Sequence, residues 1–246
     1  MIRRPLSILA LGLALSVAGA HPGGAGAATS TAAPSAEDTD FLFQLGILEG
    51  HLIVGHDLLK AGKPQMALPH FGHPVHEIYA DIADYLTEKK VTGLDTRLIR
   101  LEAAVASDPD SAATEALYQQ TIQAVHEARM TAPAALRDSV PAMIKICSDT
   151  VDAAAGEYST AVEQGRIAAI VEYHDSRGYL AAAAQQVEKL RQQNPDDADQ
   201  DRLTRFQTVL AKAQWIVEPL IPPAAPRATP AEYRAVAAQA AQVARQ

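Results

Sequence analysis

The sequence predicts an all-α fold, an antiparallel helical bundle, on three observations. From Asp40 onward apolar residues recur at helical spacing in segments rich in Ala, Leu, Gln and Glu. No stretch alternates apolar with polar residues, and no Asn-Gly or Asp-Gly pair marks a hairpin. Gly and Pro break the pattern at intervals that leave short connections, which favours antiparallel neighbours.

The elements follow in order. A first helix spans Asp40 to Ala61 and stops at Gly62. Pro64 and Pro69 punctuate a short segment, and Pro74 suits the first position of a helix reaching Lys89. Shorter helices are expected over Leu94–Ala106 and Ser111–Met130. A long one opens near Pro133, bends at Pro141 and ends about Gln164. Gly165 separates it from a helix reaching Gln193, which Asn194-Pro195 stops. Asp201–Val217 is helical, and the Pro-rich link Pro219–Pro230 leads to a last helix, Ala231–Ala244. No domain boundary shows before that link, so residues 40–218 read as one bundle and 231–246 as a C-terminal helix.

Two stretches resemble each other. Leu58-Leu59-Lys60-Ala61-Gly62-Lys63 lines up with Ala161-Val162-Glu163-Gln164-Gly165-Arg166. Beyond each glycine comes a polar cluster, His70-Phe71-Gly72-His73 and Glu172-Tyr173-His174-Asp175. This suggests two pseudo-symmetric helical hairpins whose polar clusters face each other.

Composition excludes several functions. The 246 residues carry a net charge of −8 with no Lys/Arg run after the first few, a poor match to nucleic acid. Aromatics are 5%, too few for a base-stacking surface. A single cysteine, Cys147, rules out an intramolecular disulfide and any multi-Cys zinc or iron–sulfur site; on a helix it reads as a small core residue. Met1–Ala20 has the form of a secretory signal. Arg3 and Arg4 precede the apolar run Leu6–Val17, and Ala18-Gly19-Ala20 or Ala25-Gly26-Ala27 offers the cut. The expectation is an exported, periplasmic protein, not membrane-spanning once the signal is removed, with a disordered leader over residues 21–39.

The chemistry must then come from His, Asp and Glu. Five of the eight histidines fall between His51 and His76. The first helix is apolar almost all round, so Glu49, His51 and His56 are buried and need a partner or a metal. Gly46, Gly50 and Gly55 cost helix stability and imply that another helix or a ligand approaches closely. His70, His73, His76 and Glu77 form a second group. A continuous helix would put His70, His73 and Glu77 on one face, whereas Pro74 favours His70 and His73 in a turn with Glu77 in the next helix. Imidazoles beside a carboxylate suit Zn, Cu or Fe rather than Ca or Mg. In the third group His174 lies on an apolar stripe as a hydrogen-bonded core histidine, with Glu172 and Asp175 to one side and Glu157 before the glycine turn. His126 lies off the apolar face of its helix and reads as exposed. No G-x-S-x-G, H-E-x-x-H, P-loop or C-x-x-C-H motif is present, so no catalytic residue is assigned.

Gly50-His51-Leu52…Gly55, followed by Ala67-Leu68-Pro69-His70-Phe71-Gly72-His73-Pro74…Glu77-Ile78-Tyr79, resembles a pattern of exported bacterial helical proteins. Glu157-Tyr158…Gly165-Arg166-Ile167…Glu172-Tyr173…Asp175-Ser176-Arg177-Gly178 looks like part of the same pattern. A more distant likeness is to the imelysin-like proteins, helical bundles linked to metal uptake, although their G-x-H-x-x-E hallmark is not met: Gly72 directly precedes His73, and Glu77 is four residues beyond it. The expected function is binding of a transition metal ion for capture, storage or delivery. The ligands would be His51, His70, His73 and Glu77, helped by Glu172 and Asp175, and the partner a periplasmic or membrane transport protein. The alternatives are a metal-independent envelope scaffold and a b-type haem binder with two buried histidines as axial ligands.

Overall fold

Ser35 opens the described chain's first helix with a capping box: its hydroxyl accepts from the Asp38 amide at 3.1 Å, and the Asp38 carboxylate accepts from the Ser35 amide at 2.8 Å. The computed structural model describes residues 33–193 and 195–246; the expected secretory signal, its cut sites, His21 and most of the expected leader lie outside them. Helix α1 spans Ala36–Lys60, starting before Asp40 because the cap sits at Ser35. Then come α2 (Pro64–His73), a π-helical turn (Pro74–Ile78), α3 (Tyr79–Glu88), α4 (Leu94–Ser107) and α5 (Ala112–Arg129). The second half holds α6 (Ala134–Arg137), α7 (Val140–Ala161), α8 (Ile170–Gln192), α9 (Asp197–Ile216) and α10 (Pro230–Ala244). The all-α bundle is as the periodicity predicts.

Three local expectations are corrected. Pro74 does not open a new helix after a turn; the backbone stays helical from α2 through the π turn into α3. Pro74 lacks the N–H that would bond back along the helix, and the wider turn absorbs this, with the Tyr79 amide reaching the Pro74 carbonyl. Pro141 is not a bend. Ser139 caps α7, and Pro141 sits in its first turn, where its missing N–H costs nothing. Finally, α7 ends at Ala161, and Val162–Glu163 pairs antiparallel with Arg166–Ile167 across a tight turn. Gln164 (φ 51°) and Gly165 (φ 74°) supply the two left-handed positions that turn requires. Two residues a side are too short to show alternation in a sequence.

Helices α7, α8, α9 and α10 pack in a closed ring, each against the next and α10 back onto α7. Against it lies α1, running along α8, with α2 folded back over α1 and α4. The polar clusters of the two hairpins do face each other. The helix contacts are unequal, however: α8 packs along α1, whereas α2 packs chiefly on α1 and α4 rather than on α7. Where α1 crosses α8, Gly50 meets Gly178 backbone to backbone. A Cβ on Gly50 would lie 2.9 Å from the Gly178 carbonyl carbon, and one on Gly178 would collide with the Gly50 carbonyl oxygen. Gly55 makes room for the Phe71 ring on α2, while nothing lies within 4 Å of a Cβ on Gly46, so only two of the three glycines of α1 answer to a close approach.

A second polar contact locks α1 to α5. The Glu49 carboxylate, fully buried, accepts from the Arg129 guanidinium, from His126 Nε2 at 2.8 Å and from Gln186 at 3.4 Å. His126, half exposed, is thus a partner of Glu49 rather than a free surface group. Burial would raise the Glu49 carboxyl, but Arg129 and His126 outweigh it and hold it below its usual value. Cys147 is buried against the Ala183 carbonyl, and burial pushes its thiol up to about 12, so it packs as a small apolar side chain.

Two stability predictions follow from these contacts. Gly178→Ala should cost about 3 kcal/mol in urea unfolding, the upper end for overpacking, while Gly46→Ala should be neutral or add up to about 1 kcal/mol. Arg129→Met, which strands a buried carboxylate, should cost about 3–5 kcal/mol in the same measurement.

Candidate metal centre

The α1–α8 crossing sets the site. His51 directly follows Gly50, and Asp175 lies one turn before Gly178 on the facing helix. The turn at Gly62 (φ 67°) then returns the chain so that α2 lies on α1. His70 and His73, three residues apart near the end of α2, share a face and project toward Asp175.

Asp175 is the focus. Its Oδ1 lies 2.8 Å from His51 Nδ1 and 2.8 Å from His70 Nδ1, and its Oδ2 lies 3.6 Å from His73 Nδ1. One ligand atom from each of these four residues falls within 4.8 Å of all the others. A tetrahedral ion with bonds of about 2.1 Å needs donors about 3.4 Å apart, so modest side-chain rotation closes the set. His51, His70 and Asp175 are buried; His73 keeps 26% of its side chain exposed and forms the solvent-facing side. His51 Nδ1 has no hydrogen-bond partner, because the ring's N–H direction misses the carboxylate oxygen beside it. The two atoms are in contact without the alignment of a hydrogen bond, an arrangement in which the nitrogen lone pair and the carboxylate could both serve a cation.

Outside this set, His51 Nε2 is 3.0 Å from the Tyr179 hydroxyl, and His70 Nε2 is 3.4 Å from His174 Nδ1. His174 Nε2 donates to the Leu220 carbonyl at 2.9 Å. Burial, reinforced by the neighbouring His70, pushes the His174 imidazole down to about 4. Burial alone would raise the Asp175 carboxyl, yet the adjacent His51 and His70 hold it well below the usual carboxylate range. Glu157, partly buried, is pushed up to about 7 by burial and by the charges of Asp175, Glu172 and Glu77.

The sequence-predicted residues separate cleanly. His51, His70, His73 and Asp175 come together. Glu77 does not join them: it projects to solvent with 66% of its side chain exposed, 3.9 Å from His73 Nε2, because the π turn carries it past the face that His70 and His73 share. Glu172, half-buried in the first turn of α8, is also outside the set. His56 pairs instead with Glu115 at 2.9 Å and stacks on Tyr118, and His76 with Glu102 at 3.0 Å. Sequence reasoning took His174 for a hydrogen-bonded core histidine, which it is; that its other nitrogen faces His70 needed the packing of α2 on α8 to be seen.

Residues 133–246 match the model of the iron permease-associated 4-helix bundle domain. The matched region contains α7 to α10, the four helices that close the ring. No curated protein and no solved structure matches the chain. The likeness found is to an iron permease-associated helical family and not to the imelysin-like proteins; here the carboxylate among the histidines comes from Asp175 on a distant helix, not from a residue just after His73. No helix among the described residues is long and apolar enough to cross a membrane.

The raised Glu157 gives a pH prediction with a definite sign. Between its ordinary pKa of about 4.5 and its folded value of about 7 the folded chain holds more protons than the unfolded one, so stability falls as pH rises through that window. Glu157→Gln should flatten that fall, read as the urea midpoint of the metal-free chain between pH 4.5 and 7.

Proposed function

We propose that this chain binds a first-row transition metal, iron, at His51, His70, His73 and Asp175, and serves in its capture, storage or delivery. The observation that carries this is the convergence of three imidazole nitrogens on one buried carboxylate, with His51 Nδ1 left unpaired beside it. Three nitrogens and one oxygen suit Fe(II), Zn(II) or Cu(II) and are a poor set for Ca or Mg. The likeness of α7–α10 to an iron permease-associated domain favours iron among them and supports a membrane transport protein as the partner. The charged start, apolar run and A-x-A pair of Met1–Ala20 support export, with the periplasm as the place of work. The metal is cargo in this reading, reached from the His73 side.

The test is metal uptake by the metal-stripped chain, followed by calorimetry and thermal melts with Fe(II) under anaerobic conditions, Zn(II), Mn(II) and Cu(II). Copper and zinc will bind more tightly than iron in vitro whatever the cargo in the cell. The decisive readouts are therefore one ion per chain and its dependence on the four side chains. With free metal at about 100 times the Kd, the folded state should gain about 2.7 kcal/mol. His73→Ala and Asp175→Ala should each abolish the gain, while Glu77→Ala and Glu172→Ala should keep most of it. Sub-stoichiometric uptake, or a gain that survives Asp175→Ala, would sink the assignment and leave the metal-independent scaffold. Iron content of protein purified from its native compartment decides the cargo.

A further inference from the structure

Resting on the metal reading above, we propose that His174 is a positioning residue: through a relay anchored on the Leu220 carbonyl it accepts from His70 Nε2 when an ion is bound, holding the proton there and leaving Nδ1 as the nitrogen presented to the ion. The argument is a count of protons along one line of atoms. A carbonyl oxygen has none to give, so His174 Nε2, 2.9 Å from Leu220 O, carries the hydrogen between them. A fully buried imidazole whose outer nitrogen is committed to a carbonyl stays neutral, so His174 Nδ1 is bare and accepts. The group facing it at 3.4 Å is His70 Nε2, for which it is a hydrogen-bond acceptor. The other nitrogen of His70, Nδ1, lies 2.8 Å from Asp175 Oδ1 inside the four-residue set; a carboxylate only accepts, so without metal Nδ1 holds a hydrogen against it, and an ion seated in the set takes that hydrogen's place.

The other two histidines lack such a device. His51 Nε2 faces the Tyr179 hydroxyl, which can donate or accept, and His73 Nε2 is 3.9 Å from an exposed Glu77. Of the three imidazoles, His70 alone has its outer nitrogen committed to a buried acceptor of fixed direction. Ligating histidines commonly hold their second N–H on such a partner, which fixes ring orientation as well as the tautomer.

The anchor is itself held. Glu218, Pro219 and Leu220 offer successive carbonyls between α9 and α10, and each takes a hydrogen bond from α8: Arg177 to Glu218 at 2.6 Å, Tyr173 to Pro219 at 2.9 Å, His174 to Leu220. The Pro-rich link is thus strapped to the helix that carries Asp175, and its backbone forms the outer end of the relay.

The experiment is long-range nitrogen–proton NMR on the isotope-labelled full chain, metal-free and loaded with Zn(II), with Zn(II) affinities for variants. In the zinc-loaded wild type zinc should sit on His70 Nδ1 and the proton on Nε2, whereas the metal-free ring should show a hydrogen on Nδ1 against Asp175. His174→Phe fills the space without hydrogen bonds, and it should lower Zn(II) affinity about 10- to 100-fold and free the proton to move between the nitrogens of His70. His174→Gln can accept from His70 and donate to Leu220, and should recover affinity to within several-fold. A merely structural role would not rank Gln above Phe or move the proton. A bare Nε2 on His70 in the zinc-loaded wild type, zinc on Nε2, or His174→Phe binding like the wild type would each overturn the relay. Should the wild type take up no zinc, the metal reading fails, and the metal-free spectrum still decides the anchor, which falls if His174 carries no proton on Nε2. If His174→Phe does not fold, the wild-type spectra and His174→Gln carry the decision.

Discussion

The close crossing of α1 and α8 is the constraint on which the rest depends. Helices with ordinary side chains at their contact stay about 8–10 Å apart. Gly50 and Gly178 place backbone against backbone, with no space for even one Cβ on Gly178. That approach lets His51, the next residue after Gly50, reach the carboxylate of Asp175 one turn before Gly178, and it sets Tyr179 on the far nitrogen of the same ring. Loosening the crossing by the width of a methyl group would separate His51 from Asp175 before it disturbed most of the apolar core. The helix cost of two glycines is offset by what their contact holds in place.

The crossing buries two carboxylates, and the contrast between them is informative. Glu49 and His51 are two residues apart on α1, so Glu49 and Asp175 serve different sides of one contact. Glu49 is answered within the protein by a guanidinium, an imidazole and a carboxamide. A carboxylate in that state is a structural fastener, expensive to bury and strongly destabilising to leave half-paired. Asp175 is answered only by imidazoles, one of which meets it at contact distance without a hydrogen bond. Neutral imidazoles have lone pairs to give as well as hydrogens, which a guanidinium does not. The same fold thus closes one buried acid and leaves the other fitted for a cation.

Much of this was legible in the sequence, for physical reasons that differ between parts. The helices were visible because apolar spacing is local and long, and α1 was recognised as buried from its apolar girth alone. The value of Gly50 could be inferred, since a glycine costs a helix something that only a close approach repays; its partner Gly178 could not, because nothing local relates residues so far apart. His51 stands out as a chemistry-bearing side chain on an apolar helix, and His70 and His73 as members of a dense run of histidines. The carboxylate was harder. Glu77 was the near choice in the chain, but the π turn at Pro74 shifts the register just beyond His73 and sends it outward, whereas Asp175 is brought in by tertiary packing. A proline marks where a helix must adjust without saying whether it stops or widens. Glu49 likewise announced the need for a partner without naming Arg129.

The family likeness and the four-donor cluster rest on largely separate residues. The matched region begins at residue 133, so of the four clustered donors it contains only Asp175, together with His174 and the Leu220 carbonyl behind His70. Three of the four donors lie on α1 and α2, outside the match. The ring of α7–α10 supplies one carboxylate and the backing of one imidazole, and becomes a complete ligand set only when the preceding helices dock across Gly178. A bundle of this kind without α1 and α2 would lack the nitrogens, and α1 and α2 without the bundle would lack the carboxylate that draws those nitrogens together. The four-donor cluster is accordingly a property of the joint between the two halves of the chain, and the α1–α8 crossing is where that joint is made.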